Sequence, residues 1–125
     1  MRHPAHMAGS DGIFTGGFPH PRGYGCFARY LGHHVRVDRT WSLEQAVQHL
    51  AAHAARRFGL KDRGLLREGM AADVIVFDPE QIADRSTYDD GRQIAVGMEH
   101  VIVNGQVVLH SGKRTSALPG RALHR

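Results

Sequence analysis

The sequence predicts an α/β chain, with helices in its first half and short strands in its second. Three observations carry this reading. Apolar residues recur at helical spacing up to Phe58, continuous β-branched runs replace them from Val74 onward, and Asn104-Gly105 sits between two such runs as a hairpin turn. The change of period falls near Gly59.

In the first half, Phe27, Tyr30, Leu31 and Val35 recur every third or fourth residue, which predicts a helix over 25–36 with these side chains on one face. A second helix is expected from Ser42, where Ser42 and Gln45 form a capping-box pattern. Leu43, Val47, Leu50, Ala54 and Phe58 then share one arc, opposite Gln45, Gln48, Ala52 and Arg56, and Gly59 offers a left-handed stop. In the second half, Val74-Ile75-Val76-Phe77 is bracketed by Asp73 and Asp78 and followed by Pro79, which predicts a strand buried on both faces, its acids satisfying local backbone donors. Val101-Ile102-Val103 and Val107-Val108-Leu109 flank Asn104-Gly105, and Asn-Gly supplies the positive φ angles of a type I′ turn. A further short strand is expected near Leu65-Leu66. Residues 79–98 read as polar and irregular, with Asp84, Asp89 and Asp90 in solvent, and 116–125 as a terminal loop. Neither half is an obvious self-sufficient architecture.

Composition excludes several function classes. A chain of 125 residues with 42% hydrophobic content suits one ordinary soluble domain with a modest core. Fourteen of the sixteen basic residues are arginines, scattered along the chain without interleaved stacking aromatics, which argues against a nucleic-acid partner despite the net charge of +4. Cys26 is the only cysteine, so there is no intrachain disulfide framework. The start lacks the apolar core of a signal peptide and no stretch has membrane-spanning length. A cytoplasmic location without a membrane partner is expected.

Asp11 is the leading candidate for chemistry. It lies among small residues in Gly9-Ser10-Asp11-Gly12 after the apolar Met7-Ala8, the pattern of a carboxylate presented on a loop at the end of a short strand. The competing reading is a turn residue bonding its own backbone. Downstream, Arg22 also reads as a surface arginine beside a proline turn and His20 as a brace for that loop. Among the histidines, His49 and His53 have chelating i, i+4 spacing but lack the glutamate of the His-Glu-x-x-His motif. They fall on the flank away from the apolar arc and are expected in solvent. His33 and His34 are adjacent and expected to point apart, and His3 and His6 straddle a strand-like segment; neither pair supplies a tetrahedral ligand set.

The segments Gly9-Ser10-Asp11-Gly12, His20-Pro21-Arg22-Gly23-Tyr24-Gly25, Ala55-Arg56-Arg57-Phe58-Gly59-Leu60, Gly69-Met70-Ala71-Ala72-Asp73-Val74-Ile75-Val76-Phe77-Asp78-Pro79, Val103-Asn104-Gly105 and Pro119-Gly120-Arg121 occur in an order that resembles the C-terminal part of the N-acyl-D-amino-acid deacylases, D-aminoacylases of the metal-dependent amidohydrolase superfamily. The pattern around Asp73 is shared by many amidohydrolases, and Ser-Asp-Gly with His-Pro-Arg downstream narrows the likeness to the deacylase branch. The resemblance implies the last strand and helices of a (β/α)8 barrel, residues 1–59, followed by the C-terminal strands of a small β-sandwich domain, residues 60–125. It implies that Asp11 is the general base and acid beside a zinc-activated water, with Arg22 meeting a carboxylate of the substrate and His20 beside it. It implies zinc as cofactor of the full-length enzymes and a small N-acyl amino acid as substrate.

The family's metal ligands would all lie upstream of Met1. None can be assigned to a residue of this sequence, and Cys26 follows the final barrel strand, so it is not the family's ligand cysteine. The chain is therefore expected to be a fragment that leaves zinc incompletely liganded and is inactive alone. The other functional class is a non-catalytic module that self-associates through exposed strands and apolar helix faces.

Overall fold

The computed structural model describes residues 1–123. Two helical rods make up the first half. The first is α1 (Arg22–Arg29), continued by a π-helical segment (Tyr30–Val37); the second joins α2 (Leu43–Val47), a π-helical segment (Gln48–Ala52) and α3 (His53–Arg57). The first rod starts three residues earlier than the apolar periodicity indicates, because Pro21 at the N-cap already has a helical φ of −50°. The second is capped as its sequence predicts. Ser42 Oγ accepts the Gln45 N–H at 3.3 Å while Gln45 Oε1 accepts the Ser42 N–H at 3.0 Å. At its end Gly59 takes φ +70°, the Leu60 N–H reaches the Ala55 carbonyl and the Gly59 N–H that of Arg56, a Schellman closure.

The buried faces are rotated from the predicted arcs. Ala28, Leu31, Trp41, Ala46 and Ile82 form the core cluster, while Phe27, Val47 and Phe58 are 45%, 45% and 51% exposed. Trp41 explains the rotation. The His49 ring stacks on it at 5.1 Å with an interplanar angle of 18°, and the His49 Nδ1–H donates to the His6 carbonyl at 2.7 Å. His49 is thus buried rather than solvated, and His53, half-buried, sits 4.7 Å from it. His3 and His6 do not straddle a strand; they share a turn in which the His6 N–H donates to the His3 carbonyl. His33 and His34 do not point apart. Asp38 folds back beneath the helix end, its N–H on the His33 carbonyl, and both imidazoles reach its carboxylate at 3.3 and 2.8 Å.

The second half forms a four-stranded antiparallel sheet in the order β1 (Val74–Phe77), β2 (Met98–Val103), β3 (Gln106–His110), β4 (Lys113–Arg114). Asn104 and Gly105 turn β2 into β3 with φ of +47° and +78°, as their identities predict. β1 is not buried on both faces. In this meander it is an edge strand, paired among the described residues only with β2, and Ile75 and Val76 are 48% and 47% exposed. Leu65-Leu66 forms no strand: Leu66 is 80% exposed, in a loop between Gly64 and Gly69, both at positive φ. The irregular 79–97 segment does more than face water, since Ile82 is fully buried and Asp84 pairs with Arg29 at 3.1 Å. Asp89 and Asp90 are exposed as expected. Of the expected terminal loop over 116–125, residues 124 and 125 lie outside the described residues. Among the described residues no helix is long and apolar enough to cross a membrane.

One polar clamp ties the hairpin to β1. The Asp73 carboxylate accepts the Asn104 N–H at 2.8 Å and meets the Arg63 guanidinium, which donates through Nη2 to Asn104 Oδ1 at 2.7 Å. The Arg63 side chain is only 8% exposed. Asp73→Ala removes the nearer carboxylate of that cation, leaving it Asp62 at 3.8 Å, frees the Asn104 N–H, and is expected to cost about 2 kcal/mol. A lowered urea midpoint is the expected result, and an unchanged one contradicts the clamp. The His6 imidazole has a buried Nδ1 without a hydrogen-bond partner, and its pKa lies below 6.5 because burial, then His49 and the terminal ammonium, disfavour the charged ring. The unfolded chain therefore takes up this proton first as pH falls, so the stabilising contribution is present above pH 6.5 and lost below it. Urea midpoints are expected to fall as pH is lowered through that value, less steeply in His6→Phe; equal slopes contradict the assignment.

Candidate active site

The loop leading into α1 brings the three candidate residues together. Residues 7–14 carry no strand pairing here, since among the described residues no other strand lies beside them to complete a ladder. Asp11 instead takes φ +47°, a left-handed conformation that aspartate tolerates better than most side chains. The local turn is braced by Ser10, whose Oγ accepts the Gly12 N–H at 3.2 Å. The Asp11 carboxylate faces Arg22 across 2.9 Å, and Arg22 Nε donates to the Asp11 carbonyl at 2.9 Å. The guanidinium thus grips both the side chain and the backbone of Asp11.

His20 supports the same corner. Its Nδ1 accepts the Arg22 N–H at 3.1 Å, so the neutral ring carries its proton on Nε2, which lies 3.3 Å from the Tyr88 hydroxyl. The two rings meet edge to face at 5.2 Å. Tyr88 is the site residue that sequence pattern misses, since nothing in the polar stretch around it marks a partner 68 positions away.

A groove of about 510 Å³ runs between α1 and residues 84–88, lined by His20, Arg22, Cys26, Tyr30, Ser86 and Tyr88 among others. Gly25 permits this approach: a Cβ there would stand 2.7 Å from the Asp84 Cβ. Cys26 is a free thiol with Sγ 3.7 Å from the Gly9 carbonyl. Burial pushes its pKa up and outweighs the opposing pull of Arg22, so the thiol stays protonated and is a poor nucleophile.

The chemistry available is a proton acceptor beside an anion clamp. Arginine carries five N–H donors, of which Nε–H and one on Nη2 are engaged by Asp11, leaving both Nη1 donors and the second Nη2 donor for a ligand. A metal finds no such preparation. Among the described residues no three His, Cys, Asp or Glu side chains are gathered to hold an ion, and the Nδ1 atoms of His49 and His53 both address the His6 carbonyl. These residues do not by themselves fit a zinc centre.

Comparison with known proteins sets this geometry in a family. A profile of the amidohydrolase family matches residues 1–109. The N-acyl-D-glutamate deacylase of Alcaligenes xylosoxydans xylosoxydans is 45% identical over 100% of this chain and 25% of its own length. The crystal structure of N-acyl-D-glutamate deacylase from Bordetella bronchiseptica, complexed with zinc and a phosphonate that mimics the tetrahedral intermediate, is 48% identical, with 86% of this chain and 23% of that one covered at a TM-score of 0.84. A D-aminoacylase structure that defines a subset of amidohydrolases is 40% identical over 95% of this chain and 25% of that one, with a TM-score of 0.91. The chain therefore spans about a quarter of the length of these relatives. Over that quarter it shares their fold, and it belongs to the amidohydrolase family.

Proposed function

We propose that this chain carries the proton-transfer carboxylate and the carboxylate clamp of a hydrolase that cleaves N-acyl-D-amino acids. The observation that carries the reading is the Asp11–Arg22 pair, with three guanidinium donors left for a second anion. The substrate class follows from relatives named N-acyl-D-glutamate deacylase and D-aminoacylase. Residues 1–59 are assigned to the end of the barrel and 60–125 to the small β-domain.

In this reading the remaining Arg22 donors bind the amino acid carboxylate, which fixes the scissile amide relative to Asp11. The Asp11 carboxylate accepts a proton from the attacking water and returns it to the departing amine nitrogen. His20 holds the Arg22 backbone N–H, so the clamp enters the helix in one orientation. The zinc of the Bordetella relative has no ligand set among the described residues, and no step is assigned to it.

A second reading, an interaction module, is favoured by exposed apolar side chains: Phe18, Leu118 and Leu66 are 89%, 85% and 80% exposed. Sedimentation tests the module reading. A concentration-dependent rise in mass is expected of a module, and a monomer at every concentration contradicts it.

The catalytic reading is tested by exchanging this chain for the matching quarter of an N-acyl-D-glutamate deacylase and measuring amine release. Asp11→Asn is expected to lower kcat about a thousandfold, and Arg22→Lys to raise KM about tenfold with a smaller change in kcat. An Asp11→Asn chimera as active as its parent rules out the proton-transfer role.

A further inference from the structure

We propose that residues 86–93 form a positioning loop for Arg22 and His20, acting through Tyr88, Gly91 and Arg92. The inference rests on the clamp role given to Arg22 above. It starts from a difficulty in the sequence, because the segment between Asp11 and Arg22 contains Gly12, Gly16 and Gly17, with Gly16 at φ +91°. Such a stretch loses much conformational entropy on ordering and does not hold two reacting groups in register by itself.

The 86–93 loop is braced from within. Ser86 is buried and donates through Oγ to the Gln93 carbonyl at 2.8 Å, which closes the base of the loop. Across the tip, the Thr87 N–H donates to the Asp90 carbonyl at 3.0 Å and the Asp90 N–H to Thr87 Oγ1 at 2.9 Å. Gln93 Nε2 donates to Asp90 Oδ2 at 3.0 Å. Below it, the Ala83–Val96 bridge and the Arg29–Asp84 pair fix the loop to the rest of the fold.

This braced loop meets the glycine-rich segment at three places. Arg92 Nη2 donates to the Gly16 carbonyl at 2.7 Å. Gly91 packs against the buried Pro19 so closely that a Cβ would lie 2.1 Å from the Pro19 carbonyl oxygen. Tyr88 reaches His20, which in turn holds the Arg22 N–H. The contacts run from the middle of the segment that separates acid from clamp, at Gly16, to its end, at Pro19 and His20. None of the three residues hydrogen-bonds Asp11 or Arg22 directly, so they act through Gly16, Pro19 and His20.

The test uses the full 125-residue chain and reads the Arg22 Nε–H by hydrogen exchange, which reports its bond to the Asp11 carbonyl. Arg92→Ala is expected to speed that exchange about tenfold with amide exchange in β2 unchanged, and Arg92→Lys to restore it by supplying a donor. Gly91→Ala, which must displace Pro19, is expected to do the same as Arg92→Ala. Unchanged Nε–H exchange in both variants overturns the positioning role, whatever activity is found. Faster exchange supports it, and then a chimeric deacylase whose KM is indifferent to Arg22→Lys counts against the substrate reading alone.

Discussion

The two halves of the chain meet because Gly32 has no side chain. A Cβ at that position would stand 2.2 Å from the Ile82 carbonyl oxygen, and Ile82 is the largest fully buried side chain in the structure. Arg36, one helical turn on, seals the contact by donating to the Pro79 and Ile82 carbonyls. From there the chain runs along the first rod to Gly25, where a second close approach places Asp84 over α1. The wall of the groove, the Arg29–Asp84 pair and the loop that reaches His20 all depend on that path. A β-carbon at residue 32 would push the 79–97 segment away and open the site from below.

The Asp11–Arg22 pair answers to different forces. The side chains are 83% and 37% exposed, so the pair is worth at most about 1 kcal/mol in stability. The left-handed backbone of Asp11 costs a similar amount, about 1 kcal/mol. The arrangement therefore contributes little net to folding, and in the proposed reading its geometry serves a bound anion. A guanidinium already oriented by one carboxylate is prepared for a second, because its planar fork has lost its rotational freedom before the ligand arrives.

Local chemistry made the capping box at Ser42, the stop at Gly59 and the Asn104-Gly105 turn legible in the sequence, since each is decided by residues within four positions. Asp11, His20 and Arg22 were grouped in the sequence by the family pattern, and the structure places Arg22 within hydrogen-bond distance of each of the other two. What escaped the sequence was decided at long range. His49 looked solvated because its periodicity places it on the flank away from the apolar arc, whereas Trp41 and the His6 carbonyl bury it. β1 looked doubly buried because its composition is apolar, but burial of a strand depends on what packs over each face of its sheet, and Ile75 and Val76 are left about half exposed. Tyr88 and Asp84 lay in a stretch that reads as solvent-exposed, and only the glycine contacts along α1 reveal why they face the groove.

The claim that Arg22 is shared between Asp11 and a ligand carboxylate is open to direct measurement. Titration of the chain with N-acetyl-D-glutamate, followed through the Arg22 side-chain N–H resonances, should give a saturable shift at Arg22, smaller shifts at His20 and Tyr88, and none with Arg22→Lys. A shift confined to residues away from this corner, or one that persists in the lysine variant, would contradict it.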